Sequence, residues 1–346
     1  MDELLVASEA PVTARRPWLQ TWLDCNPDFE PLLVAVHHGD RLTAAALLAS
    51  RRRAGWIEVV AAGDGPSDRT ILPAVDGDAT EQLAERIVET LVRFRRPWTL
   101  SLAQLPSDDP VASALAHRLQ TVVLQPGVSA PALLLGADRS LDTYTSRSYR
   151  QNVRTMRNRL DREGVAFALR STREPAEVAA LARETEPVRL ARDRAEGRPS
   201  MLGRPRHRDF RRAILERLAC DGAVELTELR LDDELAAYAV VLLDGRAHRL
   251  WDTAFAPGRE RFGAGNLVVE ATLRNALTDL HCDEFDFMRG MEDYKLRLAT
   301  TVVESVSLQA WSSPRARALT HLATNWRSPA YYRWLARWAV GRFRKV

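Results

Sequence analysis

The segment that most restricts how this chain can fold is Gly258-Arg259-Glu260-Arg261-Phe262-Gly263-Ala264-Gly265-Asn266, which runs directly into residues 267–277. In that continuation Leu267, Glu270, Ala271, Arg274 and Leu277 recur at helical spacing, so the glycine loop opens a helix. Glycines at such a junction let the backbone approach an anion closely. The unpaired N–H groups and the positive end of the helix dipole then face that anion. Arg261, Phe262, Gly263, Ala264, Gly265 and Asn266 are the candidate anion-holding residues. Upstream, residues 223–231, 235–243 and 247–255 read as an antiparallel meander, with Asp232-Asp233 and Asp244-Gly245 as turns. Downstream, Phe285-Asp286-Phe287-Met288-Arg289-Gly290-Met291-Glu292-Asp293-Tyr294-Lys295 begins as a short alternating strand and ends in a cluster of ionisable groups.

The rest of the chain is organised around this segment. Residues 16–23, with Trp18 and Trp22 one turn apart, predict a short helix. Residues 31–36 and 42–49 flank Gly39-Asp40 as a hairpin, and 55–60 form a third strand. A helix over 80–94, a strand over 98–102, a helix over 110–119 and one or two strands within 122–135 follow. Asp142 is expected to cap a long helix ending at Arg162 before Gly164, with Tyr149, Val153, Met156 and Leu160 on its apolar face. Strands over 165–169 and 302–311 and helices over 177–192 and 209–219 complete the set. The order predicts an α+β chain whose mixed, mostly antiparallel sheets are flanked by helices. Its first half repeats a thinner version of the second, so two related domains are expected, 1–138 and 139–312, with 313–346 as a helical extension.

Composition bounds the function classes. A chain of 346 residues suits about two domains. With 46% hydrophobic and 27% charged residues and a net charge of +3, it has the make-up of an ordinary globular protein. Cys25, Cys220 and Cys282 are odd in number and form no CxxC pair, which speaks against a disulfide framework or a zinc site. The histidines, apart from His37-His38, are isolated in sequence, so no metal is expected. The first residues contain no signal-peptide core, and no stretch approaches the roughly 20 apolar residues of a membrane helix. A cytoplasmic location is the expectation.

Three segments carry a resemblance to a known family: residues 146–164, the meander with Gly263-Ala264-Gly265 behind it, and Phe285–Gly290 with Tyr294-Lys295. They resemble the CelD/BcsL-like acetyltransferases, a branch of the GNAT superfamily with two GNAT-type domains in tandem. The likeness covers residues 142–300 well and the first domain weakly. The Tyr294-Lys295 segment is also similar to one in Fem-type peptidyltransferases, which share the double-domain fold but take aminoacyl-tRNA. The resemblance implies a degenerate N-terminal domain, a C-terminal acyltransferase domain, and acetyl-CoA or another acyl-CoA as donor. It implies transfer to an amine of a small molecule or of a cell-surface or secondary-metabolite precursor. One departure stands out: the GNAT pyrophosphate loop has Gln or Arg three residues before its first glycine, where this chain has Glu260 between Arg259 and Arg261.

For acyl transfer, the candidate catalytic groups are Asp286, Asp252 and Glu292 as bases, Tyr294 as a proton donor to the leaving group, and Lys295 as a contact for an anionic group. Each has a plainer reading. Asp286 can pair with Arg289, Tyr294 can pack, and Lys295 can be a solvated strand-end lysine. Arg147, Arg150 and Arg154, with Arg157, line one helix face. They suit a phosphate-rich acceptor, the CoA 3′-phosphate or RNA, or are that helix's solvated side. Trp251 and Arg289 complete the expected substrate-binding set. Aminoacyl-tRNA transfer and a non-catalytic binding module are the alternatives. In residues 329–346, Tyr331, Trp334, Leu335 and Trp338 share a helix face among arginines. That face is expected to dock on the protein; a weak peripheral membrane contact is the competing reading.

Overall fold

The structure, a computed structural model, describes residues 2–8 and 10–325; the aromatic basic segment 329–346 lies outside the described residues. Along the chain come α1 (Asp2–Ala7), α2 (Arg16–Cys25), β1 (Glu30–His38), β2 (Arg41–Arg52), β3 (Ile57–Ala61) and α3 (Gly77–Val92). Next are β4 (Trp98–Pro106), α4 (Pro110–Arg118), β5 (Val122–Pro126), β6 (Ala130–Leu134), α5 (Leu141–Tyr144) and α6 (Arg147–Arg162). Then follow β7 (Phe167–Thr172), α7 (Pro175–Ala195), α8 (Pro205–Cys220), β8 (Val224–Leu231), β9 (Glu234–Asp244) and β10 (Ala247–Phe255). Last come α9 (Ala264–Thr278), β11 (Glu284–Asp286), α10 (Asp293–Leu296), β12 (Thr301–Val303), β13 (Ser305–Trp311) and α11 (Pro314–Asn325). No described helix is long and apolar enough to cross a membrane.

The chain divides into two compact units. Unit 1 comprises, among the described residues, 2–8, 10, 26–127 and 306–325, with a six-stranded sheet in the order β1-β2-β3-β4-β13-β5. Its meander β1-β2-β3 is antiparallel, and β3 then pairs in parallel with β4 after the α3 crossover. Leu83, Ile87 and Leu91, on one face of α3, are fully buried in a core with Leu48, Val59, Leu100 and Leu308. Unit 2 comprises 11–25 and 128–305, with a seven-stranded sheet in the order β12-β6-β11-β10-β9-β8-β7. It repeats the same scheme: β8-β9-β10 is an antiparallel meander, α9 crosses over, and β11 pairs in parallel with β10. The fold is α+β, two tandem sheets of mixed, mostly antiparallel strands with flanking helices.

The units cut the chain differently from the boundaries expected at 138 and 312. β6 is an interior strand of the second sheet, between β12 and β11. The expected strand 302–311 breaks at Glu304, β12 joining the second sheet and β13 the first. Helix α2 belongs to unit 2, where Trp18 is fully buried. The helix expected from Asp142 to Arg162 is two helices. Thr145 is extended, at φ −128° and ψ 141°, and Ser146 rather than Asp142 caps α6 by accepting the Tyr149 N–H at 3.1 Å. The strand expected around Phe285–Phe287 stops at Asp286 because Met288 takes a left-handed φ of 58°. Tyr294 and Lys295 lie in the single helical turn α10, not at a strand end.

Candidate functional site

The geometry of unit 2 is set where β10 meets β11. The two pair in parallel only at Ala247↔Glu284, His248↔Phe285 and Arg249↔Asp286. Beyond that, β10 continues to Phe255, while the chain after β11 stays with β6 through Phe287 N–H to Pro131 O (3.0 Å) and Gly290 N–H to Ser129 O (3.1 Å). The two strands therefore part, and from Leu250 onward the β11-side edge of β10 has no strand partner among the described residues. A buried charge chain holds the apex closed. The Arg249 guanidinium donates to Asp286 and Asp244, each at 2.7 Å, and Arg15 reaches Asp244 at 3.0 Å. Asp286 is wholly buried and also accepts the Met288 N–H at 2.8 Å. Its bonds to Arg249 and Met288 tie it to the joint, which is the arrangement of a structural ion pair rather than of a base.

Just past the apex, the register of β10 against β9 slips between Leu250 and Asp252. This bulge at Trp251 re-aims the side chains that follow it. Trp251 meets Trp18 of α2 edge-on at 5.3 Å, and Trp18 meets Phe210 of α8 in the same way. Asp252 accepts from Arg189 Nη1 (2.7 Å), Arg211 Nη2 (3.1 Å) and the Tyr238 hydroxyl (2.9 Å). Burial works to raise the Asp252 carboxyl, but Arg189 and Arg211 outweigh it and hold the group below the usual carboxylate range. A carboxylate so committed is a weaker proton acceptor than a free one. No sequence periodicity announced Arg189, Arg211 or Tyr238, because they come from three separate elements.

The other wall is the turn after β11. Lys295 is buried, and its Nζ donates to the carbonyls of Arg289 (2.7 Å) and Met288 (3.4 Å), with Glu292 at 3.1 Å. It is a tether for a turn that includes Met288 and Gly290, both at positive φ, rather than a solvated lysine. Glu292 is exposed, the most open carboxylate of the expected set. Burial pushes the Tyr294 hydroxyl upward, with the Glu292 charge adding and Arg189 opposing, so it stays protonated. Arg289 is half-buried.

At the far end of β10 the glycine loop forms as expected. Gly263 is left-handed, at φ 64° and ψ 31°, and is the N-cap of α9. A Cβ there would sit 2.1 Å from the Met156 sulfur, and one at Gly265 would sit 2.9 Å from Phe255. The glycines thus admit α6 and β10 as neighbours of the loop. No side chain caps α9, and its first turn holds no acidic residue. The equivalent helix of unit 1, α3, is capped by Asp76 and carries Asp78 in its first turn. Only α9 of these two presents a helix N-terminus free for an anion. Phe262 and Ala264 are core residues, and Asn266 is half-buried. Arg261 is exposed and 3.2 Å from Glu163; Arg159 donates to the Arg261 carbonyl. Glu260 is exposed, 3.6 Å from Arg192, whose guanidinium lies 3.9 Å from the centre of the Phe255 ring.

The α6 arginines divide. Arg150 is spent on the α5–α6 junction, bonding Asp142 and Thr145. Arg157 reaches the buried Glu270 at 3.5 Å. Arg147 and Arg154 are exposed and form no ion pair among the described residues. Among the described residues no cluster of three or more His, Cys, Asp or Glu has metal-holding geometry.

Residues 147–296, which span both walls and the glycine loop, match the family described as acetyltransferase (GNAT) domain. No curated protein matches the sequence. Solved structures with the same fold include FemX, at TM-score 0.65 and 10% identity over 93% of this chain and 97% of that one. They also include the C-terminal domain of a putative lysylphosphatidylglycerol synthetase from Agrobacterium fabrum, at 0.57 and 11% over 94% and 96%. L-PGS from Bacillus licheniformis matches at 0.55 and 12% over 89% and 91%. At these identities the likeness is one of fold, and it extends over both units.

Proposed function

We propose, from the match of residues 147–296 to the GNAT acetyltransferase domain, that unit 2 transfers an acyl group from acyl-CoA to an amine. The observation that carries the reading is the uncapped N-terminus of α9 at the end of a β10 edge that β11 has left unpaired. A thioester laid along that edge meets backbone donors for its carbonyl oxygen, and its pyrophosphate meets the N–H groups of Ala264 and Gly265, since those of Gly263 and Asn266 already donate to the Glu260 and Gly263 carbonyls. The amine attacks the carbonyl carbon, the new C–N bond forms, and the C–S bond breaks as the thiolate leaves. Glu292, the open carboxylate, takes the amine proton directly or through water, and the protonated Tyr294 donates a hydrogen bond to the leaving sulfur. The acceptor is a small molecule or a cell-surface or secondary-metabolite precursor carrying the amine.

The donor is tested at Asn266. Gly263→Asp is unsuitable, since its backbone and Met156 both exclude a side chain. Asn266→Asp puts a carboxylate in the first turn of α9, where it stabilises the helix by about 0.3–1 kcal/mol while repelling a phosphate. The variant is expected to keep or raise its Tm and to bind acetyl-CoA at least tenfold more weakly by calorimetry. Unchanged affinity would place the donor elsewhere. The second reading, aminoacyl-tRNA as donor, is favoured by Glu260 in the loop and by Arg147 and Arg154, exposed and without an ion pair among the described residues. Binding of charged tRNA without binding of acetyl-CoA would select it.

A further inference from the structure

Arg189 is held in an unusual way for a helix arginine. Its Nε donates to Asp193 at 3.0 Å, and its Nη1 donates to Asp252 at 2.7 Å and to the Thr253 carbonyl at 3.4 Å. Both aspartates have a second arginine of their own: Arg198 on Asp193 at 2.6 Å and Arg211 on Asp252 at 3.1 Å. Glu196, which also reaches Arg198, is paired with Arg192. Neither aspartate therefore needs Arg189 for neutralisation. Nη2 of Arg189 has no partner among the described residues, and the side chain keeps 25% of its surface exposed. The guanidinium is fixed in orientation by two carboxylates and presents one free edge. It does so beside Asp252 and Thr253, the part of β10 that has already left β11, and within electrostatic reach of Tyr294 on the opposite wall.

We propose that Arg189 is an acceptor-binding residue that pairs with a carboxylate on the amine substrate, which makes the acceptor an amino-acid-like zwitterion. This rests on the amine-acceptor reading above. A planar guanidinium engaged at Nε and Nη1 leaves the N–H groups of Nη2 as its free donor, aimed at a fixed angle, and a charged donor so held bonds a carboxylate more strongly than a neutral amide. A carboxylate seated there holds the neighbouring amine against the open edge of β10. The bulge that turns Asp252 toward α7 and α8 is then what aims the recognition group.

The test measures binding without turnover. Glycine, L-alanine, L-serine, L-glutamate and L-lysine, each beside its α-carboxamide, are titrated into the full chain with CoA present. For at least one pair the parent is expected to prefer the carboxylate at least tenfold. In Arg189→Lys, which keeps the charge but loses the donor fixed at Nη2, that preference falls at least fivefold. Arg198→Ala, a neighbour in the same charge chain, leaves it within twofold. If Arg189→Lys does not fold, Arg189→Gln combined with Asp193→Asn removes the cation with one of its carboxylates and serves in its place. No discrimination by the parent, or discrimination that survives at position 189, overturns the proposal. Binding of inorganic phosphate that depends on Arg189, with no carboxylate preference, also overturns it. CoA is titrated alone in the same series. CoA binding without carboxylate discrimination sinks only this proposal, and discrimination without CoA binding sinks only the donor assignment.

Discussion

Lys295 shows how a residue's meaning changes when its partners are known. The sequence places it after Tyr294 at the end of an ionisable cluster, where contact with an anionic ligand is a fair expectation. Its Nζ instead holds the Met288 and Arg289 carbonyls across a turn with two positive-φ residues. Hydrogen bonds from a charged donor contribute about 1.5–3 kcal/mol, whereas the pairing with the exposed Glu292 contributes little. Lys295→Met, which keeps the aliphatic stem, is therefore expected to lower unfolding free energy by about 2 kcal/mol in urea. An unchanged midpoint would mean that the ammonium is free for a ligand. Asp286 and Asp252 changed in the same direction, since the arginines that claim them, Arg249, Arg189 and Arg211, are distant in sequence and share no motif with them. Glu292 stays open because its loop is exposed, and that much a charged, Gly-flanked stretch already suggested.

At the scale of elements, the loop–helix junction was legible because its cause is local. A left-handed residue before a helix calls for glycine, and Gly263 supplies it. What the spacing did not reveal is that Gly263 is also a contact surface for Met156 of α6. Gly263→Ala thus meets two obstacles, a left-handed backbone costing about 1–2 kcal/mol and a side chain in the way. We expect it to cost at least 2 kcal/mol. Met156→Ala in the same chain should recover part of that loss, so that a double-mutant cycle gives a coupling of about 1 kcal/mol. Additive losses would show that only the backbone matters. The break between α5 and α6 was less legible: Asp142 and Ser146 are both good caps, and the choice fell to Ser146. Short β11 and the turn at α10 were hidden for a similar reason, since alternation over three residues fits several backbones.

For the whole molecule, the decisive facts concern which strand joins which sheet. A fragment cut at the sequence boundaries, 139–312, lacks β6, so β12 loses its sheet neighbour and β11 becomes an edge. It also lacks Trp18 and carries β13 without β4 and β5. Such a fragment is expected to unfold without a cooperative transition in urea followed by far-UV circular dichroism, whereas 128–312, which restores β6, should gain cooperativity. A sharp transition for 139–312 would show that β6 is dispensable. The sequence by itself determined the kinds of element, the tandem repetition, the meander and the glycine-opened helix, because period, caps and turns are properties of neighbouring residues. Only the tertiary structure decided that β6 and β12 enter the second sheet, that a bulge at Trp251 turns Asp252 onto two arginines, and that α9 rather than α3 has a free N-terminus beside an open strand edge. Strand pairing and buried ion pairs join residues tens to hundreds of positions apart, and they are chosen by the burial of the whole sheet, which no local stretch encodes.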